Sequence, residues 1–269
     1  MRTSILAGAA AGTLLAAGAA APAFADDHMA SLSVLHGVPD LTVDVYVNGE
    51  LTLDDFAPGD LAGPLELEPG TYSVALTAAD ATDDSAPVLG PIDLPLEGGM
   101  NYTAVAHLDE AGDPTANLFT NDTSETAAGE GRLTVRHTAA APAVDVWANG
   151  EVAFEDLANP DEVMTDLAAG TIEAAVSVAD DSNPVLGPAD VPIQEGVNTI
   201  VYAWGSADAG NLDLAVQTVD VHSATPSAVA AGTQGFADTS SGFPYAAVAL
   251  GLGLLAAAGL GARAAVRTR

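Results

Sequence analysis

Val43-Asp44-Val45-Tyr46-Val47-Asn48-Gly49-Glu50 decides the fold, because the chain writes it twice. The second version is Val144-Asp145-Val146-Trp147-Ala148-Asn149-Gly150-Glu151. In each, apolar side chains alternate with polar ones at period two, the pattern of a half-buried strand. Asn-Gly follows at once, and both residues tolerate the positive φ that a type I′ hairpin turn needs.

The duplication extends outward from these hairpins. Leu32-Ser33-Val34-Leu35-His36 matches Leu133-Thr134-Val135-Arg136-His137. Pro69-Gly70-Thr71 matches Ala169-Gly170-Thr171, Pro87-Val88-Leu89-Gly90-Pro91 matches Pro184-Val185-Leu186-Gly187-Pro188, and Gly99-Met100-Asn101 matches Gly196-Val197-Asn198. A period of about 100 residues is too long for a solenoid and describes tandem domains. Further alternating runs are Leu51/Leu53, Tyr72/Val74/Leu76, Ile172/Ala174/Val176 and Ile200/Tyr202/Trp204. No segment of the body sustains a 3.6-residue period. The expectation is all-β, with two sandwiches at residues 26–120 and 132–221. The polar stretch 121–131 reads as a linker, and Leu-Gly-Pro reads as a turn in each copy.

The ends read as targeting segments. Arg2, the apolar run Ile5 to Ala21 and the small-x-small site Ala23-Phe24-Ala25 make residues 1–25 a signal peptide. Phe243 to Ala262 is uncharged and long enough to cross a hydrocarbon core of about 30 Å. Arg263, Arg267 and Arg269 follow, so residues 263–269 form a basic cytoplasmic tail. Residues 222–242, rich in Ala, Ser, Thr and Gly, read as a flexible stalk. Phe236-Ala237-Asp238-Thr239-Ser240 resembles a sortase signal of the Leu-Ala-x-Thr-Gly type from high-GC Gram-positive bacteria. Ala237 and Thr239 match it, while Phe236 and Ser240 depart from it. The expected location is the outer face of the cell envelope, held by a C-terminal membrane helix or, alternatively, joined by sortase to the wall.

Charge narrows the partners. The chain has 37 acidic and six basic residues, a formal net charge of −31, and no cysteine. There is no lysine, and the body between the end segments has only Arg132 and Arg136 against its acids. Phosphate backbones and anionic lipid would be repelled. Membrane contact is therefore expected through the C-terminal helix only. Cell-wall components or other surface proteins are the expected partners, and no cofactor is expected. Without disulfides each sandwich must bury enough apolar surface by itself.

Candidate chemistry is sparse. Cleavage after Ala25 would expose Asp26-Asp27-His28, whose amine, amides and third-position imidazole suit square-planar Cu(II) or Ni(II). Asp80, Asp83 and Asp84 form an acidic loop with Asp180 and Asp181 as its counterpart, the oxygen-rich setting calcium favours. His36 and His137 occupy equivalent strand ends and lack partners for a metal. Asp44 and Asp145 are expected to face solvent beside their hairpins. Tyr46 and Trp147 would stack a sugar if exposed, or else cover the hairpin. No cysteine, no lysine and no Gly-x-Ser-x-Gly elbow leave nucleophilic catalysis without support. Paired carboxylates can cleave glycans, but nothing singles out a pair among 37 acids. The chain reads as a non-enzyme. A structural or interaction module comes first, a binder of a divalent cation or wall glycan second, and a carboxylate-dependent glycan enzyme last.

The Val-Asp-Val-Tyr/Trp-x-Asn-Gly hairpin, the Gly70-Thr71-Tyr72 strand and the Gly-x-Asn strands at Gly99 and Gly196 resemble the domain-of-unknown-function family 4397 over about residues 30–220. That resemblance implies exported tandem sandwiches, immunoglobulin-like or transthyretin-like. It implies no activity and transfers no catalytic residue.

Overall fold

The computed structural model describes residues 29–224, which fall in one compact unit. The signal peptide, the Asp26-Asp27-His28 motif, most of the stalk, the sorting motif, the anchor and the tail lie outside the described residues.

The first copy contains β1 (Ala30–His36), β2 (Val43–Val47), β3 (Glu50–Phe56), β4 (Leu61–Leu67), β5 (Gly70–Ala78), β6 (Leu89–Leu96), β7 (Asn101–Leu108) and β8 (Pro114–Asn121). The second repeats them as β9 (Glu130–Ala140), β10 (Val144–Ala148), β11 (Glu151–Leu157), β12 (Glu162–Ala168), β13 (Gly170–Val178), β14 (Pro184–Ile193), β15 (Val197–Ser206) and β16 (Asp213–Asp220). Each copy forms two four-stranded sheets, ordered β4-β1-β7-β8 and β3-β2-β5-β6 in the first, and β12-β9-β15-β16 and β11-β10-β13-β14 in the second. The pairs β1–β7 and β9–β15 are parallel, and the other pairs are antiparallel. The protein is therefore all-β, with two sandwich-like domains.

The hairpins behave as their sequence dictates. Asn48 and Gly49 have φ of 51° and 82°, and Asn149 and Gly150 have 52° and 80°. Each Asn side chain also accepts the backbone N–H of a β5 or β13 residue, Ser73 or Glu173, at 3.0 Å. Leu-Gly-Pro departs from expectation. It lies inside the edge strands β6 and β14, not in turns. The register slips beside it in both copies, so Gly-Pro forms a bulge, where a missing N–H costs nothing. The linker is also shorter than residues 121–131, because β8 takes Asn121 and β9 takes Glu130 and Gly131.

The two sandwiches meet through their equivalent sheets. On β1 and β7, Leu32, Ala104 and Ala106 face the first core, so Leu35, Thr103 and Val105 face the other way. These meet Ile200, Tyr202, Val219 and Val221 of the second copy in a shared buried cluster. Arg136, 1% exposed, lies in this seam with its guanidinium 4.4 Å from the Phe119 ring centre. It donates to Glu162 at 2.7 Å and to the Tyr202 hydroxyl at 2.8 Å. Tyr202 donates to Gln217 Oε1 at 2.6 Å, which also accepts from Thr103 across the seam at 3.0 Å. Arg132 pairs with Asp166 at 2.7 Å and with Asp122 of the connection at 3.0 Å. Arg136 thus reaches the first copy at Phe119, and Arg132 ties its own edge strand β12 to the connection. Trp204 covers Gly59, where a Cβ would come within 3.0 Å of the indole and where φ is +85°. Among the described residues, which fall in one compact unit, the buried clusters run from Ala30 to Val221 and give each copy a core of its own.

Candidate functional site

Asp44 is the acid whose placement differs most from expectation. It is 3% exposed and Asp145 is 9% exposed, so neither faces solvent. Each sits mid-strand and turns its carboxylate onto the neighbouring strand. Asp44 Oδ1 accepts the N–H of Asp55 at 2.9 Å, and Asp145 Oδ1 accepts that of Asp156 at 3.0 Å. Asp55 and Asp156 have φ of 53° and 55°, beside register shifts in β2–β3 and β10–β11. The buried carboxylate therefore satisfies an N–H that the bulge removes from the ladder.

Beyond this shared bond the copies diverge. In the second, Asp145 Oδ2 also accepts from the Asp180 N–H at 3.3 Å. Ser177, across from Asp145 on β13, accepts the Trp147 indole N–H at 2.9 Å. In the first, Thr77 holds the position of Ser177, fully buried, and its hydroxyl has no partner among the described residues. Tyr46 replaces Trp147 and does not reach it. No equivalent of the Asp180 bond is made to Asp44 among the described residues. Asp54 and Asp55 converge on Asp44 instead, with carboxylate oxygens within 4.8 Å of one another. The charges of Asp44 and Asp55 hold the Asp54 carboxyl above the usual carboxylate range. Burial, and then Asp44, Asp83 and Asp84, push the Tyr46 hydroxyl up. The three carboxylates, two of them exposed, lie beside the strand position of Thr77, and oxygen ligands are what hard divalent cations favour.

The loop acids do less. Asp83 accepts from its neighbour Ser85 at 3.0 Å, and Asp181 accepts from Asn183 at 2.9 Å and 2.7 Å. Those bonds hold both carboxyls below the usual range. Asp80, Asp83, Asp84, Asp180 and Asp181 do not gather into a cluster of three. Asp84 approaches Gly49 of the hairpin, which brings this loop alongside β2.

The two histidines are buried and burial lowers both pKa values. His36 Nε2 donates to the Leu41 carbonyl at 2.6 Å and His137 Nε2 to the Pro142 carbonyl at 3.0 Å. His137 Nδ1 accepts the Ala139 N–H at 3.4 Å, whereas His36 Nδ1 has no partner among the described residues. Tyr46 is buried, and Trp147 is half-buried with its indole turned inward to Ser177. Ser206 closes β15, and its hydroxyl accepts from the turn residue Ala209. Among the described residues no helix is long and apolar enough to cross a membrane.

No curated protein matches the chain. The family described as Domain of unknown function (DUF4397) matches residues 30–147, from the start of β1 to Trp147 of the second hairpin strand. That stretch takes in the whole first sandwich and β10 up to Trp147, and over it the chain matches the DUF4397 family.

Proposed function

We propose that the chain is an exported, C-terminally anchored protein of the cell envelope that displays two β-sandwich modules and performs no catalysis. Its role in this reading is structural or one of interaction with wall components or other surface proteins. The modules are of the immunoglobulin-like or transthyretin-like kind. The observation that supports this best is the seam: burying Leu35, Val105, Ile200 and Tyr202 unites two modules into one body. Such a body is a spacer of fixed geometry rather than two beads on a string. The end segments supply the rest, a cleavable leader before it and an apolar stretch with arginines after it. The test is protease shaving of intact cells with fractionation of the full-length chain. The body should be clipped from outside and recovered with membrane or wall, and a chain truncated after Gly242 should appear in the medium. Recovery in the cytosol, or retention of the truncated chain on cells, overturns it.

The Asp44–Asp54–Asp55 cluster with the idle Thr77 hydroxyl favours a second reading, in which the first module binds a divalent cation. The cation would neutralise a buried carboxylate that no arginine meets. Calcium should raise the melting midpoint of the body and Asp44→Asn should remove that response. An unchanged midpoint at millimolar Ca²⁺ removes the reading.

A further inference from the structure

Between the sheets of the first sandwich lies a cavity of about 240 Å³, lined mainly by Val34, Val45, Leu53, Val74, Leu76 and Ala104. It divides the buried core into two clusters, one around Val43, Phe56 and Leu108, the other around Leu32, Leu96 and Tyr102. The second sandwich has one continuous cluster instead. The register explains the difference. Across the middle of the first copy, Ala62, Val34 and Ala104 stand side by side on one sheet, over Leu53, Val45 and Leu76 on the other. The same places in the second copy hold Val163, Val135 and Val201 over Phe154, Val146 and Val176. Phe154, Val163 and Val201 fill space that Leu53, Ala62 and Ala104 leave open. Bulk is moved rather than simply lost: Val47, Val74 and Ile92 are larger than Ala148, Ala174 and Ala189, and they wall the hollow.

Beside the hollow, one histidine carries a buried ring nitrogen that no donor meets among the described residues. This residue, His36, lines the hollow and is 1% exposed. Its Nε2 is committed to Leu41, so its Nδ1 presents a lone pair with no donor to meet it. In the second copy that lone pair takes the Ala139 N–H. A buried acceptor without a partner is costly. A single water is poorly held there, since water needs about two to four polar partners. Asn48, Glu50 and Thr52, all exposed, form the rim beside the hairpin and give the hollow a way out to solvent.

We propose that the first sandwich binds a small apolar molecule carrying a hydroxyl, an alcohol or a phenol, with the O–H donated to His36 Nδ1. A cavity of roughly 150 Å³ holds benzene, so this one takes about ten non-hydrogen atoms. This site is separate from the carboxylate cluster and does not depend on where the protein is displayed. The experiment is an NMR titration of the body, residues 26–227, with 4-ethylphenol and with ethylbenzene, which differ by the hydroxyl alone. The phenol should shift the amides of Val45, Val74 and Ala104, leave those of Val146, Ala174 and Val201 in place, and bind at least tenfold more tightly than ethylbenzene. Leu53→Phe with Ala104→Val, which copies the second sandwich, should abolish the shifts. Ala116→Leu, on the lining beside β7, serves if that pair does not fold. No binding of either molecule, equal binding of both, or shifts that survive the filled variant would overturn the proposal.

Discussion

The two copies share a backbone plan and differ in what they leave unfinished. In the second sandwich Trp147 meets Ser177, Asp180 meets Asp145, Ala139 meets His137, and Phe154 and Val201 close the core, although the buried Trp204 indole N–H has no partner among the described residues. In the first, the Thr77 hydroxyl and His36 Nδ1 have no partner and the core is split by a cavity. The seam adds a further contrast. Arg136 holds the place of Leu35 and Tyr202 that of Val105, so at these places the second copy supplies hydrogen-bonding groups and the first apolar ones. Duplication thus left one copy to bind the unit together and the other with room to bind something else.

The largest break in that comparison should come from Arg136→Ala. It leaves Glu162 without its ion-pair partner, takes one donor from the Tyr202 hydroxyl and removes the cation from Phe119. Breaking a buried ion pair costs about 3 kcal/mol or more, and the partial exposure of Glu162 moderates that. Urea unfolding of the body should lose about 2–3 kcal/mol, while Lys at the same position recovers only part because one ammonium cannot serve both partners. A loss below about 0.5 kcal/mol, the level of an exposed pair, would mean the seam contributes little.

Calcium sharpens the difference at the carboxylates. Millimolar Ca²⁺ at constant ionic strength should raise the midpoint of the body by several degrees, and Asp145→Asn should leave that rise intact while Asp44→Asn removes it. A rise that depends on Asp145 reverses the assignment of the copies.

The smallest effect is on pH. Burial holds His36 and His137 neutral, with pKa values below 6.5. As pH falls past 6.5 the unfolded chain takes up these protons before the folded one does, so stability drops with falling pH. The loss between pH 7.5 and 5.5 is on the order of 1 kcal/mol. Differential scanning calorimetry checks it, and a midpoint that holds level or rises at pH 5.5 contradicts it.

Much of this architecture can be read from the chain, and the gaps have physical causes. The Asn-Gly turns and the strands before them are local, so alternation and turn chemistry reveal them. The edge strands β4, β6, β12 and β14 escape because they carry Gly, Pro and acids, residues that edges and bulges tolerate and that look like loop. Asp44 and Asp145 escape because an acid in a strand normally faces water, and only the bulge on the next strand gives it a reason to turn inward. The seam escapes because Ser33, Thr103, Asn121 and Gln217 look like a solvated face. One signal for it was on view: in a body with many acids, the only two positive charges, Arg132 and Arg136, fall on one strand at i and i+4, the same face of β9. The cavity depends on Leu53 lying over Ala104, which no local pattern encodes, although the exchange for Phe154 and Val201 is visible once the copies are aligned.

The first core is hollow where the second is filled, and a reciprocal exchange of side chains between them reads this out in stability. Leu53→Phe with Ala104→Val puts the second core's residues into the first, and Phe154→Leu with Val201→Ala does the reverse. Urea unfolding should show opposite signs, a gain of about 1 kcal/mol for filling and a loss of about 2–4 kcal/mol for emptying. Destabilisation by both exchanges would mean that the first core is already closely packed and that the account is wrong.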